Sequence, residues 1–281
     1  DKFARTGVRM GDLIRPGFVE DQLPAILEER RQALGGTAEG IKAAIEICTR
    51  LRDRLEGQIV DTRQLLNRMH DAGQTLLFEG AQGCMLDIDF GTYPFVTSST
   101  TTAAGACTGL GVAPNQIKDV FGIFKAYATR VGSGPFPTEL FDDDGAKMAK
   151  IGNEFGATTG RARRCGWIDL VALKYCIQIN GVTKLMMMKG DVLSGFETIK
   201  VCTAYQTDQG VMEYLPYDIA SEDIKPQYEE LPGWKEDLTQ ITDLDDFPEN
   251  FKNYITYLEN ALETPIKIVS VGPDRKQTLF R

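Results

Sequence analysis

Glu79-Gly-Ala-Gln-Gly-Cys-Met-Leu-Asp-Ile-Asp-Phe-Gly-Thr-Tyr-Pro-Phe-Val-Thr-Ser-Ser99 directly follows the apolar run Thr75-Leu-Leu-Phe78. The run reads as a short buried strand. Gly80 and Gly83 then let the backbone approach a ligand closely, with the amide of Gln82 held between them. Gln82 carries a donor and an acceptor, a set suited to the edge of a purine or pyrimidine. The stretch closes on Thr97, Ser98 and Ser99, whose hydroxyls can bond a phosphate or cap a helix.

Outward from this stretch the chain changes character. The residues before it read as helices. One spans 21–34 and is stopped by Gly35-Gly36. A second is capped by Thr37, with Ile41, Ile45, Cys48, Leu51 and Leu55 on one face. A third starts at Asp61 and ends at Gly73. After residue 73, strand-like and helical segments alternate, which predicts an α/β fold with a mainly parallel central sheet flanked by helices. Strands are expected at 75–78, 121–131, 183–188, 197–205 and 266–271, and a helix at 168–180. The organisation expected is a helical segment over 1–73 and an α/β portion over 74–281. The acidic, proline-bearing stretch 221–250 is expected to be a surface excursion or small subdomain.

Three further stretches carry chemistry. Gly152-Asn-Glu-Phe-Gly-Ala-Thr-Thr-Gly-Arg-Ala-Arg-Arg-Cys-Gly-Trp167 is a glycine-punctuated loop that places Arg161, Arg163 and Arg164 within four residues. Guanidinium forks match carboxylate and phosphate oxygens, so this reads as an anion site; a solvated basic loop is the alternative. Leu185-Met-Met-Met-Lys-Gly-Asp-Val-Leu193 is an apolar strand ending in Lys189-Gly190-Asp191. Ligands of open α/β sheets gather beyond the carboxyl ends of strands, and a fixed carboxylate there can accept from N1–H and the 2-amino group of guanine. A surface ion pair is the alternative. Ile266-Lys-Ile-Val-Ser-Val-Gly-Pro-Asp-Arg-Lys276 again runs from strand into turn, where Ser270 and Gly272 can stand beside a base.

Composition narrows the chemistry. The 281 residues carry 31 basic and 40 acidic side chains, a net charge of −9, which argues against non-specific nucleic-acid binding. No apolar run approaches the ~20 residues of a membrane span. The six cysteines form no C-x-x-C pair, so neither zinc nor a disulfide framework is favoured, and a cytoplasmic location is expected. His70, the sole histidine, sits near a helix end, which limits acid–base chemistry.

These blocks, in this order, resemble the adenylosuccinate synthetase family, with further similarity through Ala126–Leu140 and Leu231-Pro-Gly-Trp234. The resemblance implies a P-loop-NTPase-like fold and GTP-dependent joining of L-aspartate to inosine monophosphate (IMP) in purine biosynthesis. In it, GTP phosphorylates O6 of IMP, the aspartate amine displaces phosphate, and Mg2+ bridges the phosphates. It further implies that Gln82 and Thr97 bind IMP, Gln82 also supporting catalysis. Arg5 reaches the phosphate of the neighbouring subunit's nucleotide across a homodimer. Thr158, Thr159, Arg161 and Arg163 form an aspartate-binding loop, with Arg161 also near IMP and Arg163 near GTP. Lys189, Asp191, Ser270 and Gly272 form the guanine site. The family's Gly-Asp-Glu-Gly-Lys-Gly-Lys phosphate loop is not in this sequence. With it are missing the catalytic aspartate and histidine and the magnesium ligands. The expectation is therefore a C-terminal two thirds of the enzyme, inactive alone. A non-catalytic guanine-nucleotide-binding module or an inert dimer scaffold are the alternatives.

Overall fold

The computed structural model describes residues 4–156, 160–220 and 223–281. The chain divides into two units, Asp1–Leu77 and Phe78–Arg281.

The first unit is helical. A π-helical turn, Phe18–Gln22, leads into α1 (Leu23–Leu34), followed by α2 (Ala38–Leu55) and α3 (Thr62–Asp71). The expected caps form: Thr37 Oγ1 accepts from the Gly40 N–H at 3.1 Å, and Asp61 Oδ1 from that of Gln64 at 3.1 Å. The unit's core is small. Leu13, Phe18, Val19 and Leu23 are buried, with Ile45 and Cys48 of α2 packed against them. Leu51, expected on the same apolar face, stays exposed.

In the second unit, β1 (Phe121–Lys125), β5 (Lys184–Met188) and β9 (Ile266–Ser270) run parallel, and β10 (Thr278–Phe280) closes the sheet antiparallel to β9. The register pairs Lys125 with Met188 and Met187 with Val269, so the three carboxyl ends lie side by side. Leu185, Met187, Ile266 and Val269 are buried under α7 (Glu249–Leu262). That helix presents Phe251, Tyr254, Ile255, Leu258 and Leu262, a spacing that places them on one face. A two-stranded antiparallel sheet pairs β2 (Ala128–Arg130) with β3 (Arg164–Gly166). A second sheet sets β4 (Ile168–Asp169) parallel to β6 (Thr198–Thr207), with β7 (Gly210–Met212) and β8 (Lys225–Pro232) antiparallel to β6. Helix α4 (Ala104–Leu110) precedes β1, helix α5 (Asp143–Ile151) precedes the arginine loop, and helix α6 (Leu170–Asn180) is capped by Asp169, whose Oδ1 accepts from the Ala172 N–H at 3.1 Å.

Three expectations are corrected. Residues 75–78 form no strand: none of the described residues pairs with them, and Leu77 is 86 % exposed. An apolar run becomes a strand only where a neighbour supplies the ladder. The single strand expected over 121–131 is broken at Ala126-Tyr127, because the Ala126 N–H bonds Met188 O at 2.9 Å and its carbonyl accepts from the Tyr254 hydroxyl at 2.6 Å. The stretch 221–250 is no mere excursion, since β8 lies along β6, and Trp234, Leu238 and Phe247 are core residues. Its prolines and its exposed acidic residues masked a segment with a buried side. Among the described residues, no helix is long and apolar enough to cross a membrane.

Candidate functional site

The carboxyl ends of β1, β5 and β9 collect the polar groups. Lys125 ends β1; Lys189, Gly190 and Asp191 follow β5; Ser270 ends β9 with Gly272 just beyond. Two glycines let these turns close up. A Cβ on Gly190 would lie 2.7 Å from Cζ of Phe251, and one on Gly272 would lie 2.2 Å from Oε1 of Gln277. Ser270 is buried, and its hydroxyl donates to Gly272 O at 3.0 Å.

Asp191 Oδ1 is buried without a hydrogen-bond partner among the described residues. Burial pushes this carboxyl above its ordinary range, against its own backbone N–H and Lys189, which pull it down; nearby Asp237 adds to the rise. An unpartnered buried carboxylate oxygen costs free energy that an incoming pair of N–H donors would recover.

Lys189 takes a left-handed conformation, φ 62°. Its ammonium is bonded to Glu154 Oε1 at 2.7 Å and to Gly152 O at 2.6 Å. Glu154 is the centre of the site and sequence reasoning missed it. Its side chain is fully buried and accepts from Lys125 Nζ at 2.9 Å on both oxygens, from Arg163 Nη1 at 2.7 Å and from the Tyr127 hydroxyl. Burial alone would raise its pKa; the bonds from Lys125, Lys189, Tyr127 and Arg163 outweigh that and hold it at about 2. Burial pushes the Lys125 ammonium down, against the pull of Glu154. Nothing local marks Glu154 in the sequence, because its partners come from the ends of two strands made adjacent by the sheet.

The arginine loop leaves Glu154 and returns as a narrow hairpin. Phe155 bridges Ala162, and the N–H of Gly156 donates to Arg161 O at 2.8 Å. Arg161 is exposed near its tip. Thr158 and Thr159 lie outside the described residues. Arg164 turns away from the other two, bonded to both oxygens of Glu139, one at 2.7 Å, and to the carbonyls of Gly132 and Gly134 at 3.1 and 2.9 Å. Its role is structural.

Gln82 and Thr97 fall in one loop, 82–102, built on a second carboxylate that was missed. Asp87 is fully buried and accepts four backbone N–H bonds: Asp89 at 3.0 Å, Phe90 at 3.1 Å, Thr101 at 2.7 Å and Thr102 at 3.2 Å. Burial raises its pKa, and the four bonds more than offset this, leaving it below the ordinary value. The Thr97 N–H bonds Leu86 O at 2.8 Å. Asn180, at the end of α6, anchors the same loop by accepting from the Ala103 N–H at 2.7 Å and donating to Cys84 Sγ at 3.2 Å. Gln82 is exposed at φ 63°, a strained conformation for a residue other than glycine. A Cβ on Gly80 or Gly83 would meet no atom within 4 Å. Arg5, in the helical unit, is exposed.

Fold and site together define an α/β enzyme core of the nucleotide-using kind, with cations and an unpartnered carboxylate beyond the ends of a parallel sheet. The family model for adenylosuccinate synthetase matches residues 1–279. The adenylosuccinate synthetase of Christiangramia forsetii is 55% identical over 286 residues, covering 100% of this chain and 67% of that protein. That of Bacteroides fragilis is 55% identical over 287 residues, covering 100% and 66%. The structure of fully ligated adenylosuccinate synthetase from Plasmodium falciparum superimposes with a TM-score of 0.93 at 36% identity, covering 100% of this chain and 67% of that one. The chain belongs to the adenylosuccinate synthetase family, ligases that form a C–N bond and use GTP with Mg2+. It spans about two thirds of the length of these relatives.

Among the described residues no group of three or more His, Cys, Asp or Glu side chains could hold a metal ion. The cations around Glu154 suit phosphate and carboxylate oxygens, not a dication.

Proposed function

We propose that the strand ends form the guanine site and the adjoining loops the IMP and aspartate sites of an adenylosuccinate synthetase. The observation that carries this is Asp191, whose Oδ1 is buried without a partner among the described residues at the end of a parallel strand. N1–H and the 2-amino group of guanine would supply its missing donors, with Ser270 and Gly272 beside the base. Lys189 and Arg163 supply positive charge toward the nucleotide. Gln82 faces the base of IMP and supports the reaction there, and Thr97 bonds its phosphate. Arg161, with Thr158 and Thr159, takes the carboxylates of L-aspartate, and Arg161 also borders IMP. Arg5 reaches the IMP phosphate of a second copy in a homodimer. The enzyme works in the cytoplasm and binds neither nucleic acid nor membrane.

Asp191→Asn, made in a full-length enzyme of the family carrying this sequence, tests the reading. Asparagine puts a donor where guanine also donates, whereas xanthine offers a carbonyl there. The expected outcome is a preference for xanthosine triphosphate over GTP in kcat/KM, a swing of about 10⁴ between the two nucleotides. An unaltered preference for GTP removes Asp191 from the site.

A further inference from the structure

We infer that Glu154 is a positioning residue that links the guanine site to the arginine loop, so that one carboxylate sets the affinity for both GTP and aspartate. The inference rests on the site assignment just given. Glu154 stands at the root of the loop, where its backbone carbonyl accepts from the Arg163 N–H at 2.9 Å. One side-chain oxygen holds Lys189, the residue before the guanine-reading turn, at 2.7 Å. The other holds Arg163, on the returning arm of the loop, at 2.7 Å. Lys125 bridges both oxygens from the end of β1.

Three cations thus converge on a single buried carboxylate, in a chain whose net charge is −9. With its charge removed, Lys125, Lys189 and Arg163 would repel one another without a counter-charge between them. Lys189 would leave its place beside Asp191, and Arg163 would leave the arm that carries Arg161. One atom change would therefore loosen two sites. The IMP loop is braced separately, by Asp87 and Asn180, and does not share this network.

Glu154→Gln in the full-length enzyme is the test, assayed well below its melting temperature. The expected result is a rise of about tenfold to a hundredfold in KM for both GTP and aspartate, with a clearly smaller rise for IMP, whose other contacts lie on the separately braced loop. Glu139→Gln serves as the comparison, because it breaks the neighbouring pair with Arg164 and should lower the melting temperature without that split. If Glu154→Gln lowers only the melting temperature, or raises all three KM values alike, the inference falls. Should that variant not fold, Glu154→Asp carries the test: it keeps the charge but cannot reach Lys189 and Arg163 together, and parental KM values for GTP and aspartate would overturn the inference. Asp191→Asn, run alongside, separates two failures. A reversed nucleotide preference with no Glu154 effect sinks only the positioning role, whereas an unchanged preference sinks the site assignment and this inference with it.

Discussion

Replacing Asp87 with asparagine should damage the IMP loop more than any other single-atom change within it. The carboxylate accepts two backbone N–H groups on each oxygen, Asp89 and Phe90 on Oδ1, Thr101 and Thr102 on Oδ2. An asparagine can keep one such pair on its carbonyl oxygen. Its amide then points two hydrogens at the other pair, donor against donor, whichever way the group is turned. Losing two charge-assisted bonds at a fully buried residue costs about 3–6 kcal/mol. For a unit of this size each kcal/mol is worth about 2–4 °C, so the melting temperature should fall by about 6–24 °C. KM for IMP should rise at least about tenfold in the full-length enzyme, because Gln82 and Thr97 are carried by this loop. KM for GTP, read at the strand ends, should move far less.

The same residue gives a pH signature. Its folded pKa is depressed, so its contribution to stability is present above the unfolded value of about 3.9 and is lost as pH falls through the folded value. Asp87→Asn should therefore narrow the gap between parent and mutant below about pH 4. Thermal melts across pH and steady-state kinetics for each substrate are the assays. A mutant melting within about 1 °C of the parent, with unchanged KM for IMP, would refute the reasoning outright.

Two more outcomes are expected. Arg161→Leu in the full-length enzyme should weaken use of aspartate by about 2–5 kcal/mol in kcat/KM while leaving the thermal melt almost unmoved, since Arg161 is exposed; unchanged kcat/KM for aspartate would count decisively against its role. The 281-residue chain alone, which contains no Gly-Asp-Glu-Gly-Lys-Gly-Lys loop, should produce no adenylosuccinate, because preorganised phosphate contacts are most of what phosphoryl transfer needs; measurable GTP- and aspartate-dependent turnover by the purified chain would overturn this.

Much of this protein is written locally. The caps at Thr37 and Asp61, the strands leading to Lys189 and Ser270, and the arginine loop are all signals within a dozen residues. Backbone satisfaction and hydrophobic period act at that range, so the sequence alone discloses them. The family blocks are equally local, each a short run around a turn. What no local run discloses is which groups share a partner. Glu154 reads as one more acidic loop residue until β1 and β5 lie side by side and deliver Lys125, Tyr127 and Lys189 to it. Asp87 reads as a turn residue until the chain comes back fourteen positions later with Thr101. Residues 75–78 carry a strand's composition, and only the absence of a ladder among the described residues denies them that state. Charges and strands are completed by partners distant in sequence, and burial raises the energetic weight of each pairing. The sequence therefore determined the groups available to the site, and tertiary packing decided which cations share Glu154 and which oxygen of Asp191 is left unpaired.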